Sequence, residues 1–211
     1  MTFEQTYRID KNNKLTIAVP TIMYAVFPLN IVVLPEECVA LHLFEPRYRQ
    51  LFKDYREGKE FVIVRQNQGE LSDYGTLVYI DKVVNEFPDE TVDIIVKGSS
   101  IVKVNEFHEL YPGKLYSAVE VEIIEIESRS SKLLTTEFEE FLSASKKRIV
   151  KEHSNSLFYI ANRLELNTDS KDELIELSSG DQMNRFLVNQ IKFLKKIHEQ
   201  ENLLNQNFHL N

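Results

Sequence analysis

The apolar residues of this chain change their spacing at Ser128-Arg129-Ser130-Ser131, and that change limits the folds open to it. Before it, short runs rich in β-branched and aromatic residues alternate with turn signals, at residues 23–27, 39–44, 61–65, 75–84, 91–97, 100–107 and 114–126. After it there is no proline, one glycine (Gly180), and helical spacing over 133–151, 156–164, 172–178 and 181–204. Strands joined by short loops favour antiparallel pairing, because each parallel pair needs a long crossover. The expected architecture is therefore α+β: a small antiparallel, barrel-like sheet over residues 21–130, then a helical bundle over 131–211. Residues 1–20 read as an extension of two strand-like runs around a turn at 10–14.

One helix interrupts the strands. Tyr48, Leu51, Phe52 and Tyr55 fall at i, i+3, i+4 and i+7, while Arg49, Gln50, Lys53, Asp54 and Arg56 fill the other face. Pro46 suits the first helical position and Gly58 a left-handed stop. In the helical half, Asp181 reads as the N-cap of the last helix, with Met183, Phe186, Leu187, Ile191, Leu194 and Ile197 as its stripe; Ser170 and Glu173 read as a capping box.

The motifs of the first half are specific. Phe27-Pro28-Leu29, Leu34-Pro35 and Phe44-Glu45-Pro46-Arg47-Tyr48 resemble the opening of the Lon protease N-terminal, substrate-binding domain in its stand-alone form. Gly75-Thr76-Leu77, the segment from Asp93 to Gly98, and the segment from Tyr116 to Val121 are similar to later strands of that family, and the likeness extends from Met23 to the C-terminus. The family usually has Gly after the Leu/Phe-Pro pair, often Pro near position 40, and Arg-Phe after the strand-ending Gly; here stand Glu36, Ala40 and Ser99 to Ile101. The resemblance implies a PUA-like barrel and a substrate class of unfolded or extended polypeptide. It also assigns structural roles to Pro28, Pro35, Glu45, Pro46, Arg47, Tyr48, Gly75 and Gly98. Neither the ATPase nor the Ser-Lys protease module of full Lon has a counterpart in these residues.

Composition narrows the partners. A net charge of −8, nearly all of it before residue 131, would repel a phosphate backbone, so nucleic acid is not expected. One cysteine, Cys38, excludes an intramolecular disulfide framework. Without a signal-like start or a long apolar run, no membrane partner is expected and the cytoplasm is the expected location. The five histidines never fall at helical zinc spacing and no glycine-rich phosphate loop occurs, so no metal and no cofactor is expected.

Candidate chemistry is sparse. On an alternating strand His42 faces away from Leu41 and Leu43, and no third group completes a Cys38–His42 dyad. Ser99-Ser100 lacks the flanking glycines of a nucleophile elbow and reads as a turn between strands. Glu36-Glu37 and Glu139-Glu140 read as solvated pairs, and Lys146-Lys147-Arg148 with Lys151 as a solvated helix face. Arg47 reads as a staple that bonds backbone carbonyls and a carboxylate such as Glu45, rather than as a ligand-binding group. The function expected is a non-catalytic polypeptide-binding module linked to protein quality control. An edge of the sheet would accept a peptide strand, with Leu34, Phe44, Tyr48 and Tyr111 as contacts. Two alternatives stand beside it: a hydrolase or small-molecule enzyme with a site between the lobes, and an adaptor for a separate ATP-dependent protease.

Overall fold

A computed structural model describes residues 7–9, 15–17, 22–144 and 155–208. Two compact units emerge, one from the residues up to Val33 with Cys38–Ile124, the other from Leu34–Glu37 with the residues from Glu125 onward. β1 (Tyr7–Ile9) and β2 (Leu15–Ile17) form a separate antiparallel pair, and the turn expected at 10–14 lies outside the described residues.

The main sheet is built from β3 (Ile22–Leu29), β4 (Cys38–Leu43), β5 (Phe61–Asn67), β6 (Glu70–Glu86), β7 (Val92–His108) and β8 (Ser117–Ile123). Its order is β4-β7-β6-β5-β3-β8, with a further β7–β8 pairing that closes a barrel-like circuit. β7 makes this arrangement work. Along one edge it pairs with β6; along the other, Val92 to Lys97 take β4 and Val102 to His108 take β8. The sheet is mixed rather than antiparallel, because β3 and β5 run parallel. The single stretch containing β4 and α1 (Pro46–Tyr55) supplies the one long crossover that this pair requires.

A second difference lies at Gly98 to Ser100. No turn occurs there: β7 runs through as one strand, with Ser99 as an extra residue between Leu77↔Ser100 and Val78↔Gly98. The bulge absorbs what reads in sequence as a break. The Ser99 hydroxyl donates to Glu60 Oε1 at 2.5 Å and to Leu77 O at 3.1 Å. Likewise residues 114–116 stay outside β8, which begins at Ser117.

Both faces of the sheet are apolar. Val26, Val62, Val64, Leu77, Val102, Val119 and Val121 form a cluster supplied by all five strands of the circuit, so they fill its inside. Phe27, Leu43, Phe61, Ile63, Val78 and Ile94 form a second cluster, which α1 caps with Tyr48, Leu51 and Phe52. Each of those three side chains contributes about 1.5–3 kcal/mol by leaving water, which is why the helix docks. Gly75 is needed at the strand crossing: a Cβ there would lie 2.8 Å from Ile63 O and 2.9 Å from Val64 Cγ2.

The other unit holds α2 (Lys132–Ala144), α3 (Leu157–Arg163), α4 (Thr168–Glu176) and α5 (Gly180–Phe208). Residues 145–154, including the basic face at 146–151, lie outside the described residues. Leu134, Phe138 and Leu142 of α2 and Met183, Leu187, Val188 and Ile191 of α5 are buried. Two caps differ from the sequence reading. Asn167, not Ser170, caps α4, accepting from Ser170 N at 2.8 Å. Ser179, not Asp181, caps α5, accepting from Gln182 N through Oγ at 3.3 Å and from Met183 N through its carbonyl at 3.1 Å. No described helix is long and apolar enough to cross a membrane.

Glu36 and Glu37 are not merely solvated. The turn Leu34-Pro35-Glu36-Glu37 is held within the helical unit: Asn162 Nδ2 donates to Pro35 O at 3.0 Å, Ser156 Oγ to Glu36 Oε1 at 2.7 Å, and Lys171 Nζ pairs with Glu37. Glu36 adopts φ +65° at the position where the resembled family usually has glycine.

Candidate functional site

β4 is an edge strand. It pairs with β7 from Cys38↔Lys97 to Leu43↔Val92, and no other described strand meets it. Its alternation leaves Cys38, Ala40 and His42 exposed while Leu43 enters the core and Val39 and Leu41 are half-buried against it. Among the described residues its far edge therefore offers unpaired main-chain groups flanked by two unlike faces.

An exposed aromatic patch sits at the end of this strand. Phe44 is 62% exposed and Phe87 42%. Between them lies the His42 ring, 6.1 Å from Phe44 and nearly parallel to it, and 6.3 Å from Phe87 edge-on. His42 Nδ1 and Asp93 Oδ1 share a hydrogen bond of 2.7 Å, and Asn85 Nδ2 donates to Asp93 Oδ2 at 3.1 Å. His42 and Asn85 are the register partners of Asp93 on its two flanking strands, so the three form one polar row across β4, β7 and β6. The bond from His42, then that from Asn85, lowers the Asp93 carboxyl below its ordinary value.

The hairpin that carries Phe87 is tied down by α1. Arg49 Nη1 donates to Asp89 O at 2.9 Å and lies 3.3 Å from Glu90, and Arg56 Nη2 donates to Glu86 at 2.6 Å. Thr91 closes the turn through Asp89 with bonds of 3.1 and 2.7 Å. A patch held this way loses little entropy when it receives a ligand.

The remaining sequence candidates fall elsewhere. Leu34 is fully buried in the turn of the helical unit, and Tyr48 is 5% exposed, packed on Phe27 with ring centroids 3.8 Å apart. Neither presents a face to solvent. Tyr111 is partly buried beside Tyr116, whose hydroxyl donates to Asp54 at 2.9 Å. Arg47 Nε donates to Glu45 Oε2 at 2.9 Å, both side chains well exposed, with its guanidinium 4.5 Å from the Tyr48 ring centre. It staples only to its neighbour two residues back and bonds no backbone carbonyl, contrary to the reach expected of it. Glu45 receives Tyr48 N and Arg49 N on its carbonyl, Pro46 opens α1, Pro28 sits opposite Val64, and Gly98 opposite Val78.

Sequence reasoning missed His42, Asn85, Phe87 and Asp93 as one constellation. The signal available was β4 reading as an alternating strand that ends in an aromatic residue; the partners across the sheet depend on register.

A polar cavity of ≈ 750 Å³ lies in the helical unit, lined by Arg129, Ser131, Lys132, Thr135, Asp181 and Asn184 among others. Its lining contains serines but no histidine to serve as their base. Cys38 and His42 share a face of β4, but four residues of strand separate them by roughly 13 Å, beyond the reach of a dyad.

The fold and site describe a mixed, barrel-like sheet unit with an open edge strand and an accompanying helical unit, the build of a binding domain. Residues 23–205 match the model of the ATP-dependent protease La (LON) substrate-binding domain, and the chain belongs to that family. Solved structures that share its fold include two Lon N-terminal domains. The crystal structure of a Lon N-terminal domain protein from Xanthomonas campestris has 21% identity and a TM-score of 0.61. The N-terminal domain of a Mycobacterium avium complex Lon protease has 13% identity and a TM-score of 0.62. Each alignment covers 81% of this chain and 98% of the other. No curated protein sequence matches the chain.

Proposed function

We propose that this protein is a non-catalytic module that holds extended polypeptide by strand addition along β4. The observation that carries this reading is the free edge of β4 ending at the exposed Phe44–His42–Phe87 patch. Main-chain bonds to β4 supply affinity without regard to sequence. Alternate side chains of the added strand meet the half-buried Val39 and Leu41 on one face and the line of Ala40, His42 and Phe44 on the other. Such a site selects for unfolded segments with spaced apolar residues, the substrate class that serves protein quality control.

Fluorescence anisotropy with a dye-labelled, reduced and carboxymethylated protein tests the reading. Phe44→Asp and Phe87→Asp alter exposed side chains and leave the core intact, and each is expected to weaken binding about tenfold. Unchanged affinity in both variants would move the site away from β4.

A further inference from the structure

The sheet carries a second constellation, on β7 and β8. Ligand atoms of Glu106, His108 and Glu120 all lie within 4.8 Å of one another, the one such group of three among the described residues. Its assembly follows from strand register. Val104 pairs with Val121 but Glu106 pairs with Glu120, so Asn105 is an extra residue in β7. Without that bulge Glu106 would stand opposite Val119; with it, two carboxylates face each other directly. His108, two residues along β7, falls on the same face.

Two features of this arrangement are costly as they stand. Like charges directly opposite on paired strands are destabilising. His108 Nε2 is buried from solvent and makes no hydrogen bond, although Glu120 Oε1 lies only 3.4 Å away. A separation of 3.4 Å, within the range of an ion pair, also matches the edge of a coordination tetrahedron, since bonds of about 2.0–2.1 Å to a central zinc place two ligands about 3.3–3.4 Å apart.

We propose that Glu106, His108 and Glu120 form a binding site for a divalent transition-metal ion of the zinc class. One imidazole nitrogen with two carboxylates is an N/O donor set that suits such an ion better than calcium or magnesium, which take oxygen ligands. Three protein ligands leave a fourth position for water. The ion neutralises the facing carboxylates and clamps β7 to β8, the pairing that closes the sheet circuit.

Isothermal titration with zinc, and cobalt(II) as a spectroscopic stand-in, tests the site in EDTA-stripped protein. A Cys38→Ser background removes the exposed thiol as a competing ligand. One ion per chain is expected, with visible cobalt absorption and a raised melting temperature. His108→Ala and Glu120→Gln should each weaken binding about tenfold or more and abolish the melting shift, while His42→Ala leaves both intact. Metal-free melts of the variants show whether each remains folded; should His108→Ala fail to fold, Glu106→Gln provides the same test from an exposed side chain. Binding that survives loss of His108 and Glu120, or that falls with His42, would place the metal on other histidines and overturn the proposal. So would the absence of saturable binding.

Discussion

Among the described residues, the sheet unit and the helical unit each bury one polar side chain, and they use it differently. In the sheet, Thr76 is 1% exposed and its hydroxyl donates to Val33 O at 2.6 Å, tying one loop carbonyl to a core that is otherwise apolar on both faces. In the helical unit, Asn184 is 7% exposed and acts as a hub. Its Oδ1 accepts from Ser131 N at 2.6 Å, and its Nδ2 donates to Arg129 O at 3.1 Å and to Gly180 O at 2.8 Å. A sheet satisfies its main chain by its ladder and needs little help from side chains. A helical unit leaves orphan groups at every helix start and linker, so one amide with donors and an acceptor can organise several of them.

That contrast predicts unequal damage. Asn184→Leu takes the partner from Ser131 N–H and Arg129 C=O in a part-buried setting, at about 1–2 kcal/mol each, so a loss on the order of 2–4 kcal/mol is expected. Thr76→Val keeps the shape and orphans one carbonyl, for about 1–2 kcal/mol. Urea denaturation followed by far-ultraviolet circular dichroism measures both. If Thr76→Val proved the more damaging, the hub would not be what holds the helical unit together.

The two units were also legible in sequence to different degrees. Strand positions survive into the structure because β-branched runs mark burial directly, as in Phe61 to Val64, an unbroken apolar run in which all four residues are buried. What alternation does not reveal is register. The bulges at Ser99 and Asn105 and the parallel β3–β5 pair depend on contacts between distant strands, so the mixed sheet, the unbroken β7 and the Glu106–His108–Glu120 group stayed hidden. In the helical unit the stripes were plain, but each linker offers several capping residues within a turn of one another. Asn167 competes with Ser170 and Ser179 with Asp181, and packing selects the earlier one in both cases. Asn184 was invisible because an asparagine between Met183 and Leu187 reads as a solvent position until two linkers converge on it. Of the contacts expected from the sequence, Phe44 lies exposed just after β4, whereas Leu34 and Tyr48 are drawn inside by the turn and the helix that carry them.

Glu36 gives a smaller test of how the helical unit holds its borrowed turn. Its φ of +65° costs an L-residue about 1 kcal/mol, which glycine avoids. Glu36→Ala and Glu36→Gly both lose the bond from Ser156, so their difference isolates the backbone conformation. The glycine variant is expected to be the more stable by about 1 kcal/mol in thermal or urea melts. Equal stability would mean the turn relaxes out of the left-handed region.

The smallest effect is expected at Arg47, and it separates a motif residue from a structural anchor. Its guanidinium bonds only Glu45 and lies over Tyr48, with both members of the ion pair exposed to solvent. Removing it orphans no buried group, unlike Asn184. An exposed ion pair contributes about 0–1 kcal/mol and an exposed cation–π contact a similar amount, and side-chain ordering offsets part of each. Arg47→Ala should therefore cost about 0.5 kcal/mol, against several for the hub, and high salt should shrink even that. A loss above about 2 kcal/mol would show that Arg47 reaches a buried partner and that the sheet unit, too, depends on a polar anchor.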